Sequence, residues 1–172
     1  MKKAHITPTN KETKMAKNDF IVSKTDAKGI ITYCNEIFMT MAGYDEKELL
    51  GKNHNIIRHP DVPQVAFKLA WDLISSGKEF FGFVKNLKRD GGYYWVFANI
   101  TADYNENGKI IGYTSVRRMP PQSAIDAVTP LYEEMVRLEQ NGGMEESRKY
   151  LFDFLDANNV TYDELVISLQ GA

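Results

Sequence analysis

Apolar and polar positions alternate in short runs in the first part of the chain and again over 80–117, with helical spacing between and after them. Segments 20–23 and 30–33 read as two short strands, joined through Asp26-Ala27-Lys28-Gly29 by a hairpin-type turn. Asn35 closes the second strand and is placed to cap a helix over 36–42, where its side-chain oxygen meets an otherwise unpaired amide. Gly43-Tyr44 ends that helix, and Asp45 with Glu48 three residues on has the form of a capping box for a further turn to Leu50. Over 64–76, Phe67, Ala70, Trp71 and Ile74 recur at helical spacing, with Gly77 as the stop. Three strands follow over 80–87, 93–104 and 109–117, and Asp90-Gly91 and Asn107-Gly108 mark the tight turns between them.

This order predicts an α+β domain: a five-stranded antiparallel sheet with short helices on one side. The organisation reads as a polar amino-terminal segment over 1–18, the sheet domain over 19–120 and a helical extension over 121–172. In the extension, Ile125, Val128, Leu131, Tyr132, Met135 and Leu138 form a stripe, and Thr129-Pro130 is expected to start a fresh helix or kink the first. Gly142-Gly143 loosens the chain before a helix over 145–157 that carries Leu151, Phe154 and Leu155, and Thr161 with Glu164 boxes the start of a last helix through Leu169. A helical hairpin folded back on the domain is the expectation; a dedicated partner-docking face is the other reading.

Charge and composition remove several function classes. The 172 residues carry a formal charge of -2 with interspersed signs, so the basic footprint that nucleic-acid binding requires is missing. No apolar run reaches membrane-spanning length, and residues 1–17 are too polar for a signal peptide, so a cytoplasmic location is expected. The single cysteine, Cys34, permits no internal disulfide and no cysteine metal cage, and its place in a strand favours a buried inert thiol. Spacing alone suggests no catalytic triad, Gly-rich phosphate loop or paired carboxylates, and Gly91-Gly92 belongs to a hairpin. The chain is therefore read as a non-enzyme.

The stretch His54-Asn55-Ile56-Ile57-Arg58-His59-Pro60-Asp61-Val62-Pro63 crowds two imidazoles, a guanidinium, a carboxylate and an amide into ten residues, chemistry that a packed core does not need. Arg58 carries a forked donor set suited to phosphate or carbonyl oxygens, with a salt bridge to Asp61 or Glu48 as the plainer reading. His59, held out of helical geometry by Pro60, can turn its ring inward; a capping or exposed histidine is its alternative. Asp61 could cap the next helix while holding Arg58 or a ribose hydroxyl, and His54 and Asn55 fit a polar turn as well as a site. Asn86 lies on an otherwise apolar strand, where an inward amide needs a partner. Tyr94 and Trp95 must face opposite sides of the sheet.

The element order resembles the PAS sensor fold. The run Thr25-Asp26, Gly29, Ile31, Tyr33, Asn35, Phe38, Gly43-Tyr44, Glu48-Leu49 and Gly51 is similar to the PAS amino-terminal signature. His54-Asn55-Ile56, Arg58-His59-Pro60-Asp61, Pro63, Phe67, Trp71, Lys85-Asn86 and Tyr94-Trp95 resemble the aerotaxis-receptor branch of that family. The resemblance spans about 19–120 and implies non-covalent FAD with a redox or electron-transport signal. It implies cofactor-binding roles for Arg58, His59, Asp61, Trp71, Asn86, His54 and Asn35. In such a site Trp71 packs on the flavin or stays in the core, Asn86 meets the ring edge, and Asn35 contacts the ligand or serves only as a helix cap. A haem-binding PAS sensor, with His54 or His59 as axial ligand, is the alternative cofactor reading, and a cofactor-free interaction module is the competing class. The implied partner is a separate chemoreceptor-type signalling protein, which could recruit the chain to the inner membrane. Homodimerisation through the sheet face or terminal helices is a further expectation.

Overall fold

A computed structural model describes residues 5–172. Strands β1 (Ile21–Asp26) and β2 (Ile31–Cys34) are followed by helices α1 (Glu36–Ala42) and α2 (Glu46–Leu49), a 3-10 turn (His54–Ile57) and α3 (Gln64–Ser75). The strands β3 (Phe80–Leu87), β4 (Tyr93–Tyr104) and β5 (Ile110–Arg118) complete the sheet, and α4 (Gln122–Gly142), α5 (Met144–Ala157) and α6 (Tyr162–Gln170) form the extension. The expected caps operate. Asn35 Oδ1 accepts from the Phe38 amide at 3.1 Å, and both Asp45–Glu48 and Thr161–Glu164 form reciprocal boxes.

All strand pairs are antiparallel, in the order β2-β1-β5-β4-β3. Strand β1 runs three residues beyond its sequence-based end because Lys24, Thr25 and Asp26 pair with Thr114, Tyr113 and Gly112 of β5. The register divides the sheet into two faces. Asn86, Tyr94, Ala98, Tyr113, Ser115, Arg117 and Ser23 share the inner face, toward α1, the 3-10 turn and α3, while Phe83, Lys85, Trp95 and Phe97 share the outer face.

The extension folds back, as expected. Val128, Tyr132 and Met135 of α4, Leu151 and Leu155 of α5 and Val166 of α6 are buried with Trp95 and Phe97 of the outer face and with Val62 and Val65. Each such side chain, fully buried, contributes about 1.5–3 kcal/mol, enough together to hold the helices down. The first helix continues through Pro130 rather than restarting there, with the Thr129 hydroxyl bonded to the Ile125 carbonyl at 2.7 Å. Two polar struts join α4 to the domain. The buried Tyr132 hydroxyl donates to the Phe83 carbonyl at 2.8 Å, and the Glu139 carboxylate accepts from the Gln64 and Val65 amides at 2.8 and 3.0 Å, capping α3 from outside.

The polar amino-terminal segment, whose residues 1–4 lie outside the described residues, is a strap along the start of β4. Thr9 donates to the Gly91 carbonyl, Thr13 to that of Tyr93, and Tyr93 back to Lys11. Met15 is buried in the core beside Ile21, Phe38 and Met41. Gly91 sits at φ 89, and a Cβ there would overlap the Thr7 carbonyl oxygen.

Gly91→Ala is expected to lower stability by about 1–3 kcal/mol, from the positive φ plus displacement of the strap, as read by urea unfolding with an unchanged slope. Glu139→Ala is expected to cost about 1 kcal/mol by uncapping α3, and amide exchange should show the added opening at residues 64–67.

Candidate functional site

Between α3, the 3-10 turn and the inner face of the sheet lies a mainly apolar cavity of about 140 Å3, where a single ordered water needs roughly 10–15 Å3. Its walls come from Ile57, Val62, Phe67, Ala70, Ile74, Phe80, Val84, Ala98 and Ile100. Its polar lining includes Arg58, Arg117, His54, Asn86, Ser23 and Ser115. Among the described residues no aspartate or glutamate lines it.

Of the seven residues singled out from the sequence, Arg58, Trp71, Asn86 and His54 line this cavity. Arg58 follows the 3-10 turn, forms a backbone bridge to Asn86, and lays its guanidinium 3.9 Å over the Phe67 ring. It does not pair with Asp61 or Glu48, whose carboxylates are bonded to Lys85 and Arg89 at 2.7 Å each. Trp71 is 37 % exposed and meets Tyr113 edge-on, with ring centroids 5.4 Å apart, at the rim of the cavity. The Asn86 side chain is buried, and its Nδ2 makes no hydrogen bond of normal geometry, although the side chain lies close enough to the Tyr94 hydroxyl to act on its titration.

His54 is the inward imidazole. Its ring stacks on Phe38 with centroids 5.6 Å apart, and its Nε2 lies 3.0 Å from Ser23 Oγ. Ser23 Oγ accepts from Arg117 Nη2 at 2.7 Å, so its own proton is available for His54 Nε2 and the imidazole proton sits on Nδ1. Burial, assisted by the Arg117 charge, pulls the His54 pKa down to about 3. The ring is neutral at pH 7.

Asn35, His59 and Asp61 lie outside the lining. Asn35 Oδ1 also accepts from the Val22 amide at 3.0 Å, and its Nδ2 donates to the Phe20 carbonyl at 2.8 Å, tying α1 to β1. His59 is buried edge-on against Tyr93, and its Nδ1 accepts from the Asp61 amide at 3.1 Å. Burial pulls it down to about 4, against the opposing effect of the Asp61 charge. Lys85 bonds Asp61 and lies 4.1 Å over the Tyr93 ring, so this group staples the Arg58 loop to the outer face of β3 and β4. Cys34 is buried, and burial raises its thiol pKa.

Sequence reasoning missed Arg117, Ser23, Ser115 and Tyr113. Arg117 is only 3 % exposed, with its guanidinium 4.5 Å over the Phe38 ring, and burial lowers its pKa to about 10. The available signal was the two-residue period Tyr113, Ser115, Arg117, which places the arginine on the side of the tyrosine. At the end of a strand and beside Arg118, it looks instead like a solvated terminus.

The family model for the PAS fold matches residues 31–117, about half of the chain. The aerotaxis receptor of Escherichia coli (strain K12) is 39% identical over 132 residues, covering 77% of this chain and 26% of that protein. The nitrogen fixation regulatory protein of Klebsiella pneumoniae is 31% identical over 97 residues, 56% of this chain and 20% of that protein. The chain thus spans about a quarter or less of these relatives. Among solved structures, a light-oxygen-voltage domain whose mechanism was probed with a flavin analogue superposes with a TM-score of 0.57 at 22% identity, over 67% of this chain and 86% of that one. The light state of the blue-light photoreceptor Aureochrome1 LOV gives 0.55 at 22% identity, over 73% and 93%. With this family match on a sheet of order β2-β1-β5-β4-β3, the chain belongs to the PAS family and is related to the aerotaxis receptor.

Proposed function

We propose that this chain is a flavin-binding PAS sensor that holds FAD in the inner-face cavity and reports redox or electron-transport state to a separate chemotaxis-type signalling protein. The observation that carries the reading is the composition of the cavity: apolar walls, two guanidiniums, no lining carboxylate among the described residues, and a buried Asn86 amide whose Nδ2 makes no hydrogen bond of normal geometry. A flavin fits that set. Its flat ring suits walls of Ile, Val and Phe, its ring edge offers an acceptor for an amide N–H, and its diphosphate suits a forked cation. The identity to the aerotaxis receptor points the same way.

In this reading Asn86 hydrogen-bonds the ring edge, Trp71 closes the rim and Arg58 takes the phosphates. His59 and Asp61 act from outside the cavity by holding the Arg58 loop, and Asn35 by fixing α1. The flavin, when bound, supplies reversible electron storage; everything else belongs to the protein. A change in hydrogen bonding at Asn86 is transmitted along β3 to the Phe83 carbonyl and so to Tyr132 of α4, while movement of α3 reaches α4 through Glu139. The partner reads the resulting shift in the helices. We place the chain in the cytoplasm, working through protein contact rather than catalysis; among the described residues no helix is long and apolar enough to cross a membrane.

Haem is less well served. The cavity histidine has its Nε2 bonded to Ser23 and 3.4 Å from the Arg117 guanidinium, so the nitrogen that would meet iron is occupied and lies beside a positive charge.

The test is the visible spectrum of purified protein before and after dithionite, with the released cofactor identified by mass. Flavin bands that bleach, with the mass of FAD, are expected. Arg58→Ala should weaken FAD by about tenfold or more while leaving riboflavin, which has no phosphate, nearly unaffected. A Soret band, or a protein that stays colourless after incubation with FAD, would contradict the reading.

A further inference from the structure

Arg117 is a buried cation without a counter-ion. Its Nη2 donates to Ser23, its Nε has no partner, and no aspartate or glutamate pairs with it among the described residues. The groups facing it from each packed element are neutral at pH 7: Ser23 of β1, Phe38 of α1, His54 of the 3-10 turn and Tyr94 of β4. Burial pushes the Tyr94 hydroxyl up to about 12, so it supplies no negative charge. The second guanidinium of the cavity, Arg58, adds positive charge at a distance instead of balancing it. Buried charges in folded proteins are ordinarily paired, since an isolated one forfeits its hydration with nothing in return. Here the lining offers no partner, and Arg117 opens onto the space reserved for a ligand.

We propose that Arg117 is the built-in counter-ion for a ligand ring that becomes negatively charged, so that the cavity holds the reduced, anionic form of the flavin more tightly than the oxidised, neutral form. The inference rests on the flavin reading and adds the state that the site selects. Two electrons from a low-potential donor and one proton convert the neutral oxidised ring to a monoanion. The second proton, which a ring in acidic water takes up, is replaced by the guanidinium charge. Arg117 is thus a residue that sets the potential at which the sensor switches. Ser23 is a positioning residue: its hydroxyl holds Nη2 in place while contacting His54 Nε2.

The experiment is a dye-equilibrated redox titration of flavin-loaded protein across mildly acidic pH, in the wild type, Arg117→Gln, Arg117→Lys and Ser23→Ala. A tenfold change in proton activity moves a two-electron potential by about 30 mV for each proton taken up. The wild type should therefore show the one-proton slope throughout. Arg117→Gln, compared by its ratio of reduced to oxidised flavin affinity, should lose about a hundredfold of the preference for the reduced form, a fall of about 59 mV. It should also take up two protons at acidic pH. Arg117→Lys should recover part of the potential, and Ser23→Ala should lower it with the polypeptide otherwise intact. A two-proton slope in the wild type, or a potential unmoved in both Arg117→Gln and Ser23→Ala, overturns the proposal while leaving flavin binding in place. If Arg117→Gln fails to fold, the wild-type slope and Ser23→Ala decide. Wild-type protein that takes up no flavin removes the flavin reading and this inference together.

Discussion

The register of β5 between β1 and β4 is the constraint on which the site depends. Ser115 lies opposite Ser23 and Ile100, and Arg117 opposite Ile21 and Ala98, so the two-residue period turns Tyr113, Ser115 and Arg117 inward together. A slip of one residue would carry the arginine to the outer face and bring Val116 into the cavity. Many long-range hydrogen bonds hold that register, and the energy to bury a guanidinium is drawn from the whole sheet. The same alternation sends Trp95 and Phe97 outward, where the terminal helices cover them. Site and helices are consequences of a single pairing.

That arrangement makes the sheet an intermediary between a polar inner face and an apolar outer one. Asn86 and the Phe83 carbonyl belong to the same strand, three residues apart, one at the cavity and the other bonded to α4. Helix α3, which carries Phe67 and Trp71, has its first amides capped by a carboxylate from α4. Two separate contacts therefore tie the cavity walls to the extension, and both are directional hydrogen bonds that respond to small displacements. The amino-terminal strap adds its own bonds to the β3–β4 turn and the start of β4.

What was legible in the sequence was mostly local. Caps at Asn35, Asp45 and Thr161, turns at Asp90-Gly91 and Asn107-Gly108, and the spacing of Phe67 and Trp71 are short-range chemistry, and the elements follow them closely. The motif around Arg58 led to the cavity because it sits in the turn that forms one wall. Arg117 was not legible, because its burial depends on partners such as Ser23 and His54, which lie far away in sequence. His59 and Asp61 stood out by composition, yet their geometry joins them to Tyr93 and Lys85 rather than to the lining, a distinction that only the path of the loop decides. The amino-terminal segment read as a polar tail because Met15, its buried anchor, is one residue among lysines and threonines. Pro130 read as the start of a fresh helix or a kink, and the packing of Val128, Tyr132 and Met135 on either side of it holds one continuous helix.

The most direct test of the account is a crystal structure of the protein purified with its cofactor. A flavin ring is expected between α3 and the inner face of β5, with its polar edge within hydrogen-bond distance of Asn86 and Arg117 and its phosphates at Arg58. A flavin bound elsewhere, or a cavity filled by a collapsed Trp71 with Arg117 paired to a carboxylate of the protein, would contradict it.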